Sequence, residues 1–216
     1  MNPAMKFRAD KHGHEIILYG DIGFDITAKE FSDELKALGD VSEITVRINS
    51  FGGDVFDGVA IYSRLIDSGA NIIVFIDGIA ASAASVIAMA GNEIHIGEAA
   101  FIMIHDAWTL TMGNAADLRK TAAQLEAVSE QTAGIYQRRT GQELAKIREL
   151  MADETEFNAE QAVEFGFATD IFEAERLAAH YDPERHHFKR PPSVTLKPRQ
   201  AEAQRMVAEM RMQTIR

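Results

Sequence analysis

The amino-acid sequence predicts an α/β protein built around a mostly parallel β-sheet, because strand and helix patterns alternate along the chain. Residues 15–19 and 43–48 are rich in β-branched residues and are bounded by turn residues, which is typical of strands. Residues 27–38 between them have helical spacing, with Phe31 and Leu35 on one face. These three segments form one βαβ unit.

The other elements continue this alternation. A helix at residues 55–67 leads to an apolar strand at residues 71–76, of the kind found in sheets that are covered on both faces. A short helix begins near Ser82, and a long polar-faced helix covers residues 115–139. The remaining predicted elements are strands at residues 93–96, 101–104 and 168–172 and helices at residues 142–151 and 159–165.

Composition and charge exclude several classes of protein. The 216 residues include 46% hydrophobic and 25% charged residues, as in ordinary globular proteins, and no Cys, which excludes disulfides, thiolate nucleophiles and Cys-ligated zinc. The first 175 residues hold 13 Lys and Arg against 29 Asp and Glu, and this acidity argues against nucleic-acid binding. No apolar stretch reaches about 20 residues and the N-terminus lacks a signal-peptide pattern, so we expect a cytoplasmic protein with no membrane partner.

The sequence divides into a folded domain at residues 1–178 and a C-terminal tail at residues 179–216. Residues 176–216 hold nine Lys and Arg against four Asp and Glu, and they include four of the five prolines. This composition predicts an extended, basic segment with a short helix at residues 200–212. The tail is either a basic contact arm or a solvated end.

The first candidate for chemistry is the glycine pair Gly52 and Gly53, between the end of a strand and the start of a helix. Glycine adopts positive φ readily, so backbone N–H groups here can point outward near a helix terminus and bind an anion or a developing oxyanion. The alternative is a tight connection with no further role. The segment matches neither a phosphate loop with its Lys nor the GxGxxG pattern.

The second candidate is a serine–histidine pair. Ser82 follows a buried strand, where it is either the N-cap of a helix or a nucleophile on a strand-to-helix turn, although the GxSxG pattern is absent. His105 ends an apolar strand, where it either bonds to backbone or deprotonates a serine. Because the carboxyl ends of parallel strands meet at one edge, we expect the two side chains to lie close together. Ser85 is predicted to be a packing residue, and the other histidines are not expected to form a metal site.

Five motifs in this order resemble those of the ClpP-type serine peptidases, and the resemblance runs from about residue 16 to residue 172. It is closest to the phage and prophage ClpP-like head maturation proteases. It implies a ClpP/crotonase-like fold of repeated β-β-α units with a protruding handle helix at residues 115–139. The motifs are Ile48-Asn49-Ser50-Phe51-Gly52-Gly53, Gly78-Ile79-Ala80-Ala81-Ser82, Met103-Ile104-His105, Thr140-Gly141-Gln142 and Ala159-Glu160-Gln161-Ala162-Val163-Glu164-Phe165-Gly166.

The resemblance implies a role for each of four residues. Ser82 matches the family's nucleophile and His105 its general base. The backbone amides of Gly53 and Ala83 match the oxyanion hole. No cofactor and no metal is implied.

The acid of the triad is the point at which this sequence departs from the family. The family's Asp lies four residues before the Ser of an S-A-x-E-A segment, and counting back from Asn158 gives Glu154. A Glu can orient an imidazole as an Asp does, but it is one methylene longer. Asp153 is therefore the alternative.

The resemblance also implies partners. The expected assembly is a homo-oligomer of rings, a heptamer or a double ring, that encloses its active sites and acts on protein or peptide substrates. A further partner would be an ATPase unfoldase or a phage capsid or scaffold protein. An apolar stripe on the handle helix suits either another subunit or the chain's own core, and it consists of Leu118, Ala122, Leu125, Val128 and Ile135.

The predicted function is that of a serine endopeptidase similar to the proteolytic subunit of ATP-dependent Clp protease, acting in phage head maturation. One alternative is an enzyme of the crotonase type that stabilises thioester enolates, which would not need a Ser–His pair at these positions. The other alternative is a ring-forming structural member of the same fold with weak or no catalysis. Glu154 in the acid position is the feature that favours this structural member.

Overall fold

The computed structural model describes residues 4–10 and 13–172. The strands are β1 (Met5–Asp10), β2 (Gly13–Leu18), β3 (Glu43–Ser50), β4 (Asn71–Ala81), β5 (Glu93–Gly97), β6 (Phe101–Ile104), β7 (Thr155–Asn158) and β8 (Asp170–Phe172). The helices are α1 (Ala28–Leu38), α2 (Val55–Asp67), α3 (Ala83–Ala88), α4 (Ala115–Thr140), α5 (Leu144–Ala152) and α6 (Ala159–Phe165). The predicted tail at residues 179–216 and its helix at residues 200–212 lie outside the described residues and stay predictions.

The described strands form one eight-stranded sheet in the order β1-β2-β3-β4-β5-β8, to which β6 is joined through β4, and β7 through β6. The β1–β2 and β6–β7 pairs are antiparallel. The other five pairs are parallel. The predicted α/β fold with a mostly parallel sheet is therefore confirmed.

One hydrophobic core joins the sheet to the helices. Its largest fully buried side chains include Tyr136, Phe31 and Phe167. Every described helix contributes to it, through pairs such as Phe31 and Leu35, Ile61 and Leu65, Val86 and Ile87, Ile135 and Tyr136, Ile147 and Met151, and Ala159 and Ala162. The helices are thus fixed against a continuous apolar face.

Over residues 71–76, the two faces of β4 are buried to different degrees. Ile72, Val74 and Ile76 are at most 1% exposed, whereas Ile73 and Phe75 between them are only partly buried. The predicted strand is confirmed, but the second face of this segment is only partly covered at Ile73 and Phe75, and it becomes buried from Asp77 onward. The alternation between buried and partly buried residues is not visible in the sequence of this segment, because both faces of the strand carry large apolar residues.

A buried charge cluster lies on this second face, where Asp77 of β4 meets Arg47 of β3 and Tyr19. The guanidinium donates to both Asp77 carboxylate oxygens, through Nε at 2.9 Å and through Nη2, and the Tyr19 hydroxyl donates to Oδ2. The Asp77 side chain is 1% exposed. Burial, followed by the hydrogen bond to Asp77, raises the pKa of Tyr19, so its hydroxyl stays a donor. The cluster links β3 to β4 four residues before β4 ends at Ala81.

Helix α4 is the long helix that the sequence predicts at residues 115–139. It begins with a capping box between Asn114 and Asp117 and ends at Gly141 in the left-handed conformation. Of the predicted apolar stripe, Ile135 is buried, whereas Leu118 is 44% exposed. Only the last third of the helix packs on the core. No described helix combines the length and the apolar surface needed to cross a membrane.

Candidate active site

Ser82 occupies a strained turn between β4 and α3, with φ 53° and ψ −125°. Such a conformation costs a residue with a side chain on the order of 1–3 kcal/mol, and it persists only where the surroundings hold it. Its amide donates to the Met103 carbonyl at 2.9 Å, and its carbonyl accepts from the amides of Ser85 and Val86 at 3.0 and 3.3 Å. The Ser82 side chain makes no cap hydrogen bond. Ser82 therefore stands at the N-cap position of α3 without capping the helix, in a strained strand-to-helix turn of the kind that can carry a nucleophile.

His105 lies beside Ser82 because β4 and β6 are parallel neighbours. Ala81 pairs with Met103 in this ladder, so the residues that follow the two strands emerge at the same edge of the sheet. The distance from the Ser82 Oγ to the His105 Nε2 is 2.6 Å. An imidazole at this distance can accept the hydroxyl proton directly.

Glu154 reaches the other side of the imidazole through β7. This strand runs antiparallel to β6, with Thr155 opposite Ile104, so the next step of the ladder sets Glu154 against His105. The His105 Nδ1 and Glu154 Oε1 atoms are 3.8 Å apart, and the two side chains are 8% and 12% exposed. This is an ion-pair distance in a partly desolvated site, longer than a hydrogen bond.

Two other acidic residues, Asp153 and Asp106, adjoin Glu154 and His105 in the sequence, and both are exposed. Asp153 caps the end of α5, where its amide donates to the Glu149 carbonyl at 3.0 Å, and it is exposed. Asp106 is also exposed, and its amide donates to the Met151 carbonyl. Of the three acids, Glu154 is the one that the structure sets beside His105.

Gly52 packs directly against the turn at Ser82. A Cβ atom at Gly52, where φ is 94°, would lie 2.7 Å from the Ser82 Cβ and 2.9 Å from the Ala83 amide nitrogen. Ile22 holds the segment through a hydrogen bond, which its amide donates to the Gly52 carbonyl at 2.8 Å. A Cβ at Gly53 would lie 2.1 Å from the Ile22 carbonyl oxygen. Both positions therefore require glycine.

The two amides that match the family's oxyanion hole have no backbone acceptor in the described part of the chain. They belong to Gly53, in the loop, and to Ala83, the first residue of α3. An amide at this place in a helix has no intrahelical partner. Such donors beside a serine hydroxyl can stabilise a negative oxygen.

Sequence reasoning missed β7 as a strand and gave Tyr136 no role. Four residues carry too little periodicity to predict β7, and a tyrosine within a helical stripe is typical of core packing. A group of three or more His, Asp and Glu side chains that could hold a metal ion is not found among the described residues.

Comparison with known proteins leads to the family that the motifs resemble. A sequence model of the Clp protease family matches residues 11–175. The chain is 33% identical over 142 residues to ATP-dependent Clp protease proteolytic subunit 4 of Rhodococcus jostii, a match that covers 65% of this chain and 73% of that protein.

Two further relatives have similar names. ATP-dependent Clp protease proteolytic subunit of Pleurastrum terricola is 33% identical over 146 residues, which cover 66% of this chain and 73% of that protein. ATP-dependent Clp protease proteolytic subunit 2 of Mycolicibacterium paratuberculosis is 28% identical over 139 residues, which cover 63% and 70%. With most of its length matched and its motifs in order, the chain belongs to the Clp protease family of serine peptidases.

Proposed function

We propose that this chain is a serine endopeptidase in which Ser82, His105 and Glu154 act as the catalytic triad. The observation that carries the proposal is the 2.6 Å distance from the Ser82 Oγ to the His105 Nε2, made by a serine held in a strained turn. Strained residues concentrate at sites where geometry serves function. A serine used only for packing or capping needs neither feature.

The reaction follows from these positions. His105 Nε2 takes the Ser82 proton as Oγ attacks the carbonyl carbon of the scissile peptide, and the amides of Gly53 and Ala83 donate to the resulting oxyanion. The imidazolium then gives its proton to the amide nitrogen, and the C–N bond breaks to leave an acyl-enzyme. Water attacks the ester, His105 again takes the proton, and Oγ leaves with that proton as the acid product departs.

Glu154 serves this cycle through its charge. With its Oε1 atom 3.8 Å from the His105 Nδ1, it stabilises the imidazolium that forms at each proton transfer. Because both side chains are about nine-tenths buried, water screens this attraction less than it would at the protein surface. Glu154 rather than Asp153 is thus the proposed acid.

The assembly and its partners are inferred from the relatives. Their names describe proteolytic subunits of ATP-dependent proteases. We infer that this chain forms homo-oligomeric rings, as a heptamer or a double ring, and that the exposed part of α4 contributes to contacts between subunits. The proposed substrates are proteins or peptides. An ATPase unfoldase would deliver them, or they would be capsid or scaffold proteins in phage head maturation.

A second candidate is a ring-forming structural member with weak or no catalysis. The observation that favours it is the 3.8 Å between Glu154 and His105, because a looser acid orients the imidazole less firmly. The two candidates differ in whether Ser82 reacts.

Labelling with a fluorophosphonate, followed by mass spectrometry, decides between them. The wild-type ring should gain one adduct per chain on Ser82 and should cleave a fluorogenic peptide, whereas Ser82→Ala should do neither. Ser63→Ala, which removes an exposed hydroxyl bonded to the Val59 carbonyl on α2, is the matched control and should behave as wild type. An assembled wild type that gains no adduct and cleaves no peptide would favour the structural candidate.

A further inference from the structure

A buried chain of hydrogen bonds leads from α4 to the nucleophile turn. The Tyr136 hydroxyl is 2.8 Å from the Ser85 Oγ, and that Oγ donates to the Ser82 carbonyl oxygen at 2.6 Å. A serine hydroxyl has one proton to give. Because Ser85 gives it to the carbonyl, Tyr136 is the donor in the first bond, and donation runs from Tyr136 through Ser85 to Ser82.

Both hydroxyls are fully buried. Ser85 is 0% exposed and Tyr136 is 1% exposed, so water cannot replace either bond. Burial raises the pKa of Tyr136, which keeps its proton available for donation. An edge contact to Phe167, with ring centroids 5.9 Å apart, fixes the phenol ring. Tyr136, at the far end of this series of hydrogen bonds, is therefore a donor that keeps its position and its proton.

The Ser82 carbonyl and the Ala83 amide belong to the same planar peptide unit. A bond that fixes the carbonyl oxygen therefore also fixes the direction of the Ala83 N–H. Hydrogen bonds in a connected chain polarise one another, so a donor on the carbonyl makes the N–H a stronger donor in turn. The Ala83 amide is the proposed oxyanion donor, and Ser82 supplies the nucleophile.

We propose that Ser85 and Tyr136 are positioning residues, whose hydrogen bonds orient and polarise the Ser82–Ala83 peptide for stabilisation of the oxyanion. The proposal rests on the proposed function of Ser82 and Ala83. It assigns a role to α4, whose buried end supports the site while its other end extends from the domain.

The test compares Tyr136→Phe, Ser85→Ala and the double variant with wild type. Matched controls are Tyr62→Phe, at a partly buried tyrosine on α2, and Ser63→Ala, at an exposed serine. The measurements are kcat and KM for a fluorogenic peptide, with kcat expressed per site titrated by fluorophosphonate, and the Ki of a peptide aldehyde. Titration removes the effect of any unfolded fraction, so a merely structural role would not change kcat per site.

Each single variant should lower kcat per site by about three- to tenfold, the size expected for one net hydrogen bond, with KM unchanged. The Ki of the aldehyde, which forms a tetrahedral oxyanion on Ser82, should rise by the same factor. Tyr136 acts only through Ser85, so the double variant should be no slower than Ser85→Ala. Both controls should match wild type.

Three results would overturn the proposal. If wild type reacts with the fluorophosphonate but both single variants have the same kcat per site as wild type, the positioning role is wrong and the proposed function stands. If the two single effects multiply in the double variant, the residues do not act as one chain. A wild type that reacts with no fluorophosphonate would overturn the proposed function, and the positioning role with it. If Tyr136→Phe does not fold, the kcat per site and the aldehyde Ki of Ser85→Ala alone decide whether the proposal holds.

Discussion

Replacing Gly52 by Ala should lower kcat by about 100-fold, because the new Cβ would enter the turn at Ser82. This atom would lie 2.6 Å from the Ala81 carbonyl oxygen and 2.7 Å from the Ser82 Cβ. Carbon atoms in contact are about 3.5–4.0 Å apart, so the loop or the turn must move by about 1 Å. A misplacement of that size can cost about 100-fold in rate.

The backbone conformation adds a cost that a matched control can separate. Gly52 has φ 94°, and an alanine with positive φ is destabilised by about 1–2 kcal/mol. Gly69 also has positive φ, 68°, but a Cβ there would have no atom within 4 Å. It follows the far end of α2, a helix about 20 Å long. Gly69→Ala should therefore lose stability and keep its activity.

The assay is steady-state cleavage of a fluorogenic peptide, with the folded fraction of each variant taken from urea unfolding. Both alanine variants should unfold at lower urea than wild type. Only Gly52→Ala should have a lower kcat than wild type. A Gly52→Ala protein that is folded and keeps kcat within about threefold of wild type would refute the close contact between the loop and the turn, since the expected loss is far larger.

Two further predictions follow from charges at and near the site. Glu154→Gln removes a charge 3.8 Å from His105. The attraction between this charge and the imidazolium is about 1–4 kcal/mol for effective dielectric constants between about 80 and 20. Without it, kcat for the peptide should fall by about 5- to 1000-fold. Arg47→Met leaves the buried Asp77 carboxylate without its cation, and urea unfolding should show a loss of about 3–5 kcal/mol.

Each of these changes has a control and a contradicting result. Arg8→Met breaks an ion pair whose Arg side chain is 59% exposed, so it should cost at most about 1 kcal/mol. Equal losses in Arg8→Met and Arg47→Met would contradict the buried cluster. A Glu154→Gln enzyme with unchanged kcat would remove Glu154 from the proposed triad.

Where a local signal exists, the sequence predicts the fold closely. Helix α2 has the predicted bounds because Asp54 caps its start, accepting from the amides of Phe56 and Asp57. Helix α6 also has its predicted bounds, because Asn158 forms a capping box with Gln161 at its start. Side-chain caps act within three residues, so they can be recognised without knowledge of the tertiary structure.

Where tertiary contacts decide, the sequence predicts less. Strand β4 continues to Ala81, five residues beyond the predicted end, although Asp77 and Gly78 are typical of turns. Arg47 and Tyr19 neutralise and satisfy the Asp77 carboxylate within the sheet, which lets the strand pass this point. Those partners lie 30 and 58 residues away in sequence, and no local pattern contains them.

The choice between Asp153 and Glu154 shows the same limit at the site itself. The two acids are adjacent, so a slip of one residue between β6 and β7 would exchange their places. Thr155 lies opposite Ile104, and that register sets Glu154 against His105 while Asp153 stays at the end of α5. Motif counting can point to position 154, but only the pairing of a four-residue strand gives a physical reason for it. The substitution that probes the proposed triad is therefore Glu154→Gln, with Asp153→Asn as its nearest neutral comparison.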